Sequence, residues 1–172
     1  MTHGLLMVHT GNGKGKTTAA LGLALRAFGA GLKVLILQFI KGGQTYGELE
    51  ALKNFSPQIQ IKQCGLGFTS QGDKSEHKKV AEETLQLARK EILSGNWDLI
   101  ILDEINYAVK IDLISETEML ELVKLKPLEL HLLLTGRNAT EKLIELADLV
   151  TEMKLIKHPF KAGIKAQRGI EF

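Results

Sequence analysis

The stretch HTGNGKGKTT, residues 9–18, decides how the rest of the chain is interpreted. It lies between a short apolar segment, Leu5–Val8, and a helical pattern that runs from Thr17 to Phe28. A glycine-rich turn between a strand and a helix directs backbone N–H groups at a bound anion. Lys16 and Thr17 add a mobile cation and a hydroxyl that can reach a magnesium ion. The stretch therefore predicts a nucleotide phosphate loop, formed by Gly11, Asn12, Gly13, Lys14, Gly15, Lys16, Thr17 and Thr18.

The loop departs from the usual phosphate-loop pattern at one position. That pattern has a glycine five residues before the Gly-Lys pair, whereas here the position is Thr10 and Gly11 follows one step late. Gly11, Gly13 and Gly15 are still free to adopt positive φ. The alternative interpretation is a basic, glycine-rich surface turn. The order strand, loop, helix favours phosphate binding over that alternative.

Composition limits the classes of protein that need to be considered. A length of 172 residues fits one domain, residues 1–172, with a sizeable core. A formal charge of +2 and an aromatic content of 5% do not indicate a nucleic-acid-binding protein. The single cysteine, Cys64, excludes a disulfide framework within the chain. We find neither a signal-peptide pattern nor an apolar run of about 18 residues, so we expect a cytoplasmic protein that does not enter a membrane.

Apolar strand patterns alternate with helical patterns along the whole chain. The strands are predicted at residues 5–8, 34–39, 59–64, 98–102, 130–134 and 149–153, and the intervening helices include residues 17–28 and 48–55. Three further helices are predicted to begin at capping pairs, namely Asp73 with Glu76, Ser115 with Glu118, and Asn138 with Glu141. This alternation predicts an α/β fold with a mostly parallel, doubly wound sheet and helices on both faces.

Asp103 and Glu104 follow a buried strand and are the expected partners of the phosphate loop. In nucleotide-binding folds of this kind, an acid at a strand end holds magnesium directly or through water, opposite the loop threonine. The alternative is that these acids cap neighbouring helices. Together with the loop, the pair predicts a magnesium-nucleotide site whose acceptor is still open, since hydrolysis, phosphoryl transfer and signalling all fit.

Arg137 follows another predicted strand and should face the same crevice. Its planar guanidinium suits a phosphate group or a leaving group that gains charge. A surface salt bridge with Glu141, four residues further on, is the alternative.

Several segments together resemble the P-loop ATP:corrinoid adenosyltransferases. They are TGNGKGKTTAA (10–20), QFIKG (38–42), GFT (67–69), DEIN (103–106), LTGRN (134–138), ADLVTEM (147–153) and KHPFKAGIKAQRGIEF (157–172), and they follow the family's order. The resemblance implies a sheet of the RecA-like P-loop type. It also makes the Thr10 departure a trait of the family.

The resemblance implies adenosyl transfer from ATP to a cob(I)alamin or related corrinoid, with triphosphate as the leaving group. Lys16, Arg137 and Mg²⁺ would stabilise the charge on triphosphate, and residues Asn12 to Thr18 would contact the phosphates. Thr17 and Glu104 would hold the metal, with Asp103 supporting it. A homodimer and a reduced flavoprotein electron donor are also implied.

Phe68 is implied to face the lower side of the corrinoid ring. Ser70 stands where the family usually has tryptophan, so we expect part of the apolar wedge under the corrin ring to be missing. The chain begins almost at its first strand, so we expect a more open corrinoid site or one that depends on a partner. Two other functions stay open on sequence grounds. One is a P-loop ATPase or small-molecule kinase, and the other is a non-catalytic nucleotide or corrinoid sensor.

Overall fold

Six parallel strands form the central sheet of the protein. The computed structural model describes residues 3–43, 46–67 and 73–171. Neighbouring strands follow the order β3-β2-β4-β5-β1-β6, and every pairing is parallel. The strands are β1 Leu6–Thr10, β2 Val34–Gln38, β3 Ile59–Gln63, β4 Leu99–Asp103, β5 His131–Thr135 and β6 Leu149–Glu152. The predicted parallel sheet is confirmed.

Helices cover both faces of this sheet. They are α1 Lys16–Gly29, α2 Gly47–Leu52, α3 Lys74–Leu93, α4 Ile105–Lys110, α5 Glu116–Lys124 and α6 Glu141–Leu146, with 3₁₀ turns at Lys53–Phe55 and Pro159–Ala162. Side chains of α1 and α2 pack on one face, and those of α3, α4, α5 and α6 pack on the other. The sheet is therefore doubly wound, as predicted.

The first four residues of β4, 99–102, are all apolar because their side chains alternate between the two faces of the sheet. Ile100 and Leu102 enter the core beneath α3, whereas Leu99 and Ile101 enter the core beneath α1. All four side chains are buried, because a central parallel strand has no face left for solvent. On α1, alanines 20, 24 and 27 are buried, and their small size allows the helix to lie close to the sheet.

The helix starts confirm one predicted capping pair and correct another. Ser115 and Glu118 form a reciprocal capping box, as expected. The prediction for Asn138 is wrong, because this residue has a φ of 60° and completes the turn after β5. Thr140 caps α6 instead, since its backbone is extended and its hydroxyl accepts a hydrogen bond from the Leu143 N–H. At α3, the Asp73 carboxylate accepts from the Ser75 N–H.

Two short helical elements were not predicted from the sequence. The helix α4 begins directly after Glu104, whose φ of 62° turns the chain sharply out of β4. The 3₁₀ turn at Pro159–Ala162 lies in the C-terminal segment, which has no periodic pattern. Among the described helices, none combines the length and the apolar character that crossing a membrane would require.

The strand order determines where polar side chains can meet. Because β4, β5 and β1 are neighbours and run parallel, their carboxyl ends lie side by side at one edge of the sheet. Ligands of open α/β sheets bind in the crevice outside these ends. The phosphate loop, the Asp103-Glu104 pair and the turn that carries Arg137 all follow strands that end there.

Substitution of Leu102 by Ala should destabilise the protein by about 2–5 kcal/mol, because a fully buried leucine leaves a cavity in the middle of the sheet. Urea denaturation followed by circular dichroism would measure this change in the free energy of unfolding. The control is Leu25→Ala on α1, where the leucine is 52% exposed. Equal stability losses in the two variants would contradict the described core.

Candidate functional site

The phosphate loop is shaped by its close approach to the segment that follows β6. Gly11 and Gly15 have φ values of 92° and 115°, whereas Gly13 is not left-handed. A Cβ atom on Gly11 would lie 2.5 Å from the Met153 carbonyl oxygen, and one on Gly13 would lie 2.6 Å from it. The Gly13 N–H donates to that same oxygen at 2.6 Å. Both positions therefore require glycine. At Gly11 the reasons are the positive φ and the close contact with Met153, whereas at Gly13 the close contact is the only one of the two.

Lys16 bridges the loop from the first turn of α1. Its ammonium group donates to the carbonyl oxygens of Gly11 and Gly13, each at 2.8 Å, and only 6% of the residue is exposed. Burial lowers the pKa of Lys16, and nearby Arg137 lowers it further, while Glu104 and Asp103 act in the opposite direction. Two backbone carbonyl oxygens of the loop therefore hold the lysine, and a phosphate oxygen could replace them as hydrogen-bond acceptors.

Asp103 is buried and accepts three hydrogen bonds from neighbouring side chains. Its Oδ1 accepts from the Thr17 hydroxyl at 2.9 Å and from the Thr135 hydroxyl at 2.8 Å. Its Oδ2 accepts from the Gln38 amide at 3.1 Å. Since β2, β4, β5 and α1 each contribute one of these residues, the carboxylate ties four elements together at the edge of the sheet.

Glu104 lies beside this network but is oriented differently. Its N–H donates to the Thr135 hydroxyl at 3.0 Å, and its left-handed backbone directs the chain away from the strand. Burial and the neighbouring Asp103 raise the pKa of Glu104, against the lowering influence of Lys16, Arg137 and Lys41. Of the two predicted acids, Glu104 is the one that lines the cavity described below.

The turn after β5 brings Arg137 to the phosphate loop. The Gly136 N–H donates to the His9 carbonyl oxygen at 3.1 Å, and the Thr10 hydroxyl accepts from the Ala139 N–H at 3.1 Å. Thr10, which replaces the usual glycine, thus connects the start of the loop to the segment that carries Arg137. The alternative salt bridge between Arg137 and Glu141 is not formed among the ion pairs of the described residues.

A cavity of about 210 Å³ lies where these elements converge. Its lining consists of residues 13–18 of the loop together with Glu104, Arg137, His158 and Glu171. Gly11 and Asp103 are connected to the lining indirectly. The Gly11 carbonyl oxygen accepts a hydrogen bond from Lys16, and the Asp103 carboxylate accepts one from Thr17. Phe68 and Ser70 fall outside the described residues. Most of the predicted nucleotide-site residues are therefore brought together around one space.

Sequence reasoning missed four residues of this site. Gln38 and Thr135 are polar residues at the ends of apolar strands, a position that signals a ligand crevice in parallel sheets. His158 and Glu171 lie in a segment without helical or strand periodicity, where the family resemblance of residues 157–172 was the signal and gave neither residue a role. Their place in the cavity depends on the return of the C-terminal segment to the loop.

The cavity is lined by oxygen atoms that could serve as ligands of a magnesium ion bound together with a nucleotide. Mg²⁺ is typically held by one or two carboxylates in combination with substrate phosphates and water. Thr17 and Glu104 supply a hydroxyl and a carboxylate, and Asp103 fixes the position of the hydroxyl. In the described part of the chain, no group of three or more His, Cys, Asp or Glu residues forms a complete metal site by itself.

Sequence comparison finds similarity to proteins named corrinoid adenosyltransferase. The family model described as ATP:corrinoid adenosyltransferase BtuR/CobO/CobP matches residues 2–172. A protein of Sinorhizobium sp named corrinoid adenosyltransferase is 45% identical and is matched over 98% of this chain and 80% of its own length. Proteins of the same name from Pseudomonas aeruginosa and Escherichia coli K12 are 41% and 38% identical, with 98% of this chain and 84% and 86% of their own lengths covered.

Structural comparison identifies the type of fold. A KaiC-like protein of Pyrococcus horikoshii OT3 has a TM-score of 0.55 at 15% identity, covering 92% of this chain and 76% of the other. The flagellar accessory protein FlaH of Methanocaldococcus jannaschii has a TM-score of 0.56 at 13% identity, covering 88% and 72%. These likenesses support the predicted P-loop type of sheet and, at such low identity, concern the fold alone.

Substitution of Gly11 by Ala should destabilise the protein by roughly 1–3 kcal/mol, because alanine disfavours a φ of 92° and its Cβ atom would collide with the Met153 carbonyl. Thermal and urea unfolding would measure this loss. Gly22→Ala on α1 is the matched control, since nothing lies within 4 Å of its added Cβ atom. That control should be neutral or stabilising, and a stable Gly11→Ala protein would argue against the described loop.

Substitution of Glu104 by Gln should stabilise the metal-free protein at pH 8 and have little effect at pH 4. Because folding raises the pKa of Glu104, stability associated with its protonated form is present at low pH and is lost as the pH rises through the folded pKa. Glutamine has no proton to lose at this position, so the variant keeps its stability as the pH rises. Urea unfolding in EDTA at both pH values would measure the difference, with Glu121→Gln on the exposed side of α5 as control. A benefit independent of pH would contradict this account.

Proposed function

The chain belongs to the ATP:corrinoid adenosyltransferase family, and we propose that it transfers the 5′-deoxyadenosyl group of ATP to the cobalt of a reduced corrinoid. The observation that carries the proposal is the combination of a family match over residues 2–172 with a phosphate loop that faces Glu104 and Arg137 across one cavity. In this reaction cobalt(I) attacks the 5′ carbon, a cobalt–carbon bond forms, a carbon–oxygen bond breaks, and triphosphate leaves. Residues 1–172 act together as one catalytic domain.

The loop binds the part of ATP that becomes the leaving group. The first turn of α1 lines the cavity, so that its backbone N–H groups bind phosphate oxygens, and Lys16 exchanges its bonds to Gly11 and Gly13 for bonds to phosphate oxygens. Arg137 approaches from the turn after β5 and adds a second cation. Because negative charge develops on triphosphate as the carbon–oxygen bond breaks, these fixed positive groups stabilise the transition state more than the ground state.

Asp103 and Glu104 have different roles because their surroundings differ. Glu104 and the Thr17 hydroxyl hold Mg²⁺, while Asp103 orients Thr17 from beneath. This division is supported by the three donors that already occupy Asp103 and by the position of Glu104 in the cavity lining. When bound, the metal ion neutralises part of the triphosphate charge. The protein need not supply a nucleophile, because the corrinoid provides it.

The corrinoid binds next to the cavity and receives electrons before the transfer. Phe68, which lies outside the described residues, is proposed to contact the lower face of its ring. A reduced flavoprotein supplies the electrons, the enzyme works as a homodimer, and both act in the cytoplasm. These parts of the proposal rest on the resemblance of the sequence to the family, whose model matches residues 2–172.

An anaerobic assay with Mg-ATP and chemically reduced cobalamin tests the proposed reaction. Chromatography should detect light-sensitive adenosylcobalamin and an equal amount of triphosphate. Lys16→Ala should lower the rate at least a hundredfold, because it removes a cation from the developing charge. Removal of Mg²⁺ with EDTA should also suppress the reaction.

The control variant is Lys142→Ala, which removes an exposed lysine paired with Glu116 on the surface. It should retain the wild-type rate. ADP and phosphate as the only products would contradict the transfer and indicate an ATPase. Corrinoid binding without formation of a cobalt–carbon bond would contradict it as well and indicate a sensor.

A further inference from the structure

The C-terminal segment, residues 153–171, returns to the phosphate loop at both of its ends. At its start, the Met153 carbonyl accepts from the Gly13 N–H at 2.6 Å. At its end, the Lys14 ammonium donates to the Ile170 carbonyl at 2.7 Å and lies 3.4 Å from the Glu171 carboxylate. Both ends of the segment are therefore fixed at the loop, and its residues His158 and Glu171 form part of the cavity wall.

His158 lies in this segment with its ring orientation fixed by the backbone. Its Nδ1 accepts a hydrogen bond from the Phe160 N–H at 3.2 Å, and this bond caps the 3₁₀ turn at Pro159–Ala162. A nitrogen that accepts a hydrogen bond carries no proton, so the neutral ring carries its proton on Nε2. His158 consequently presents an N–H donor from a ring that lines the cavity.

The other groups around the cavity indicate which ligand this donor suits. Lys14, Lys16 and Arg137 outnumber the carboxylates of Glu104 and Glu171 in the lining, and Glu171 is already paired with Lys14. The loop residues line the cavity from the start of α1, whereas His158 lines it from the C-terminal segment. An anion in the cavity can therefore accept hydrogen bonds from both sides, and the Nε2–H group of His158 is a donor on the second side.

We infer that His158 binds the triphosphate group of ATP by donating a hydrogen bond from Nε2 to a phosphate oxygen. This inference rests on the proposed function for the identity of the ligand. Through this contact the C-terminal segment becomes part of the nucleotide site, and it holds the leaving group on the side opposite the loop.

Two substitutions separate phosphate binding from the structural role of His158 in the turn. In His158→Asn the side-chain oxygen can still accept from the Phe160 N–H, but the donor at the Nε2 position is lost. In His158→Gln the longer amide places an N–H near the position of Nε2 while the short cap is lost. A matched control is His131→Asn, because Nδ1 of His131 also accepts a backbone N–H, that of Leu5, at 3.1 Å and outside the cavity.

Calorimetric titration with inorganic tripolyphosphate and Mg²⁺ measures the contact without a corrinoid. His158→Asn should weaken binding roughly ten- to a hundredfold, which is the effect of removing a hydrogen bond to a charged group. His158→Gln should stay within about threefold of the wild type, and His131→Asn should bind as the wild type does, since neither loses a donor to the ligand.

Wild-type affinity in His158→Asn would overturn the inference, and so would a loss equal in both His158 variants or confined to His158→Gln. A wild-type protein that fails to bind tripolyphosphate would overturn it too. Failure of adenosyl transfer while tripolyphosphate binding follows the expected order would contradict the proposed function and support the His158 contact.

Discussion

The burial of the Asp103 carboxylate is the constraint on which the site depends. A carboxylate removed from water must be satisfied by donors, and Thr17, Gln38 and Thr135 provide them. Each donor comes from a different element, so the ends of three strands and the start of α1 have one consistent arrangement. The positions of the loop and of Glu104 follow from that arrangement, because both are covalently attached to these ends.

The second constraint is the contact between the loop and the segment after β6. Gly11 and Gly13 approach the Met153 carbonyl so closely that a side chain at either position would collide with it. The edge strand β6 is exposed, yet it decides where the chain passes the loop. Packing of backbone against backbone thus shapes the phosphate loop that lines the cavity.

The sequence was sufficient to predict the sheet, because strands buried on both faces leave continuous apolar runs, as in 34–37 and 99–102. It also indicated the loop, both acids and Arg137, since each follows such a run. The residues alone did not separate the roles of Asp103 and Glu104, whose surroundings depend on other strands, and only the family resemblance assigned the metal to Glu104. Sequence reasoning likewise missed α4, which begins after a left-handed Glu104, and it missed His158 and Glu171, whose positions are determined by tertiary contacts alone.

The hydrogen bonds that Lys16 makes within the loop affect how a ligand would bind there. Its ammonium group has two carbonyl partners, on Gly11 and Gly13, each at 2.8 Å. Under the proposed function a phosphate oxygen would replace one of these partners, and the loss of that contact would offset part of the binding free energy. A triphosphate would regain more than it displaces, because it could contact the loop and Arg137 at the same time.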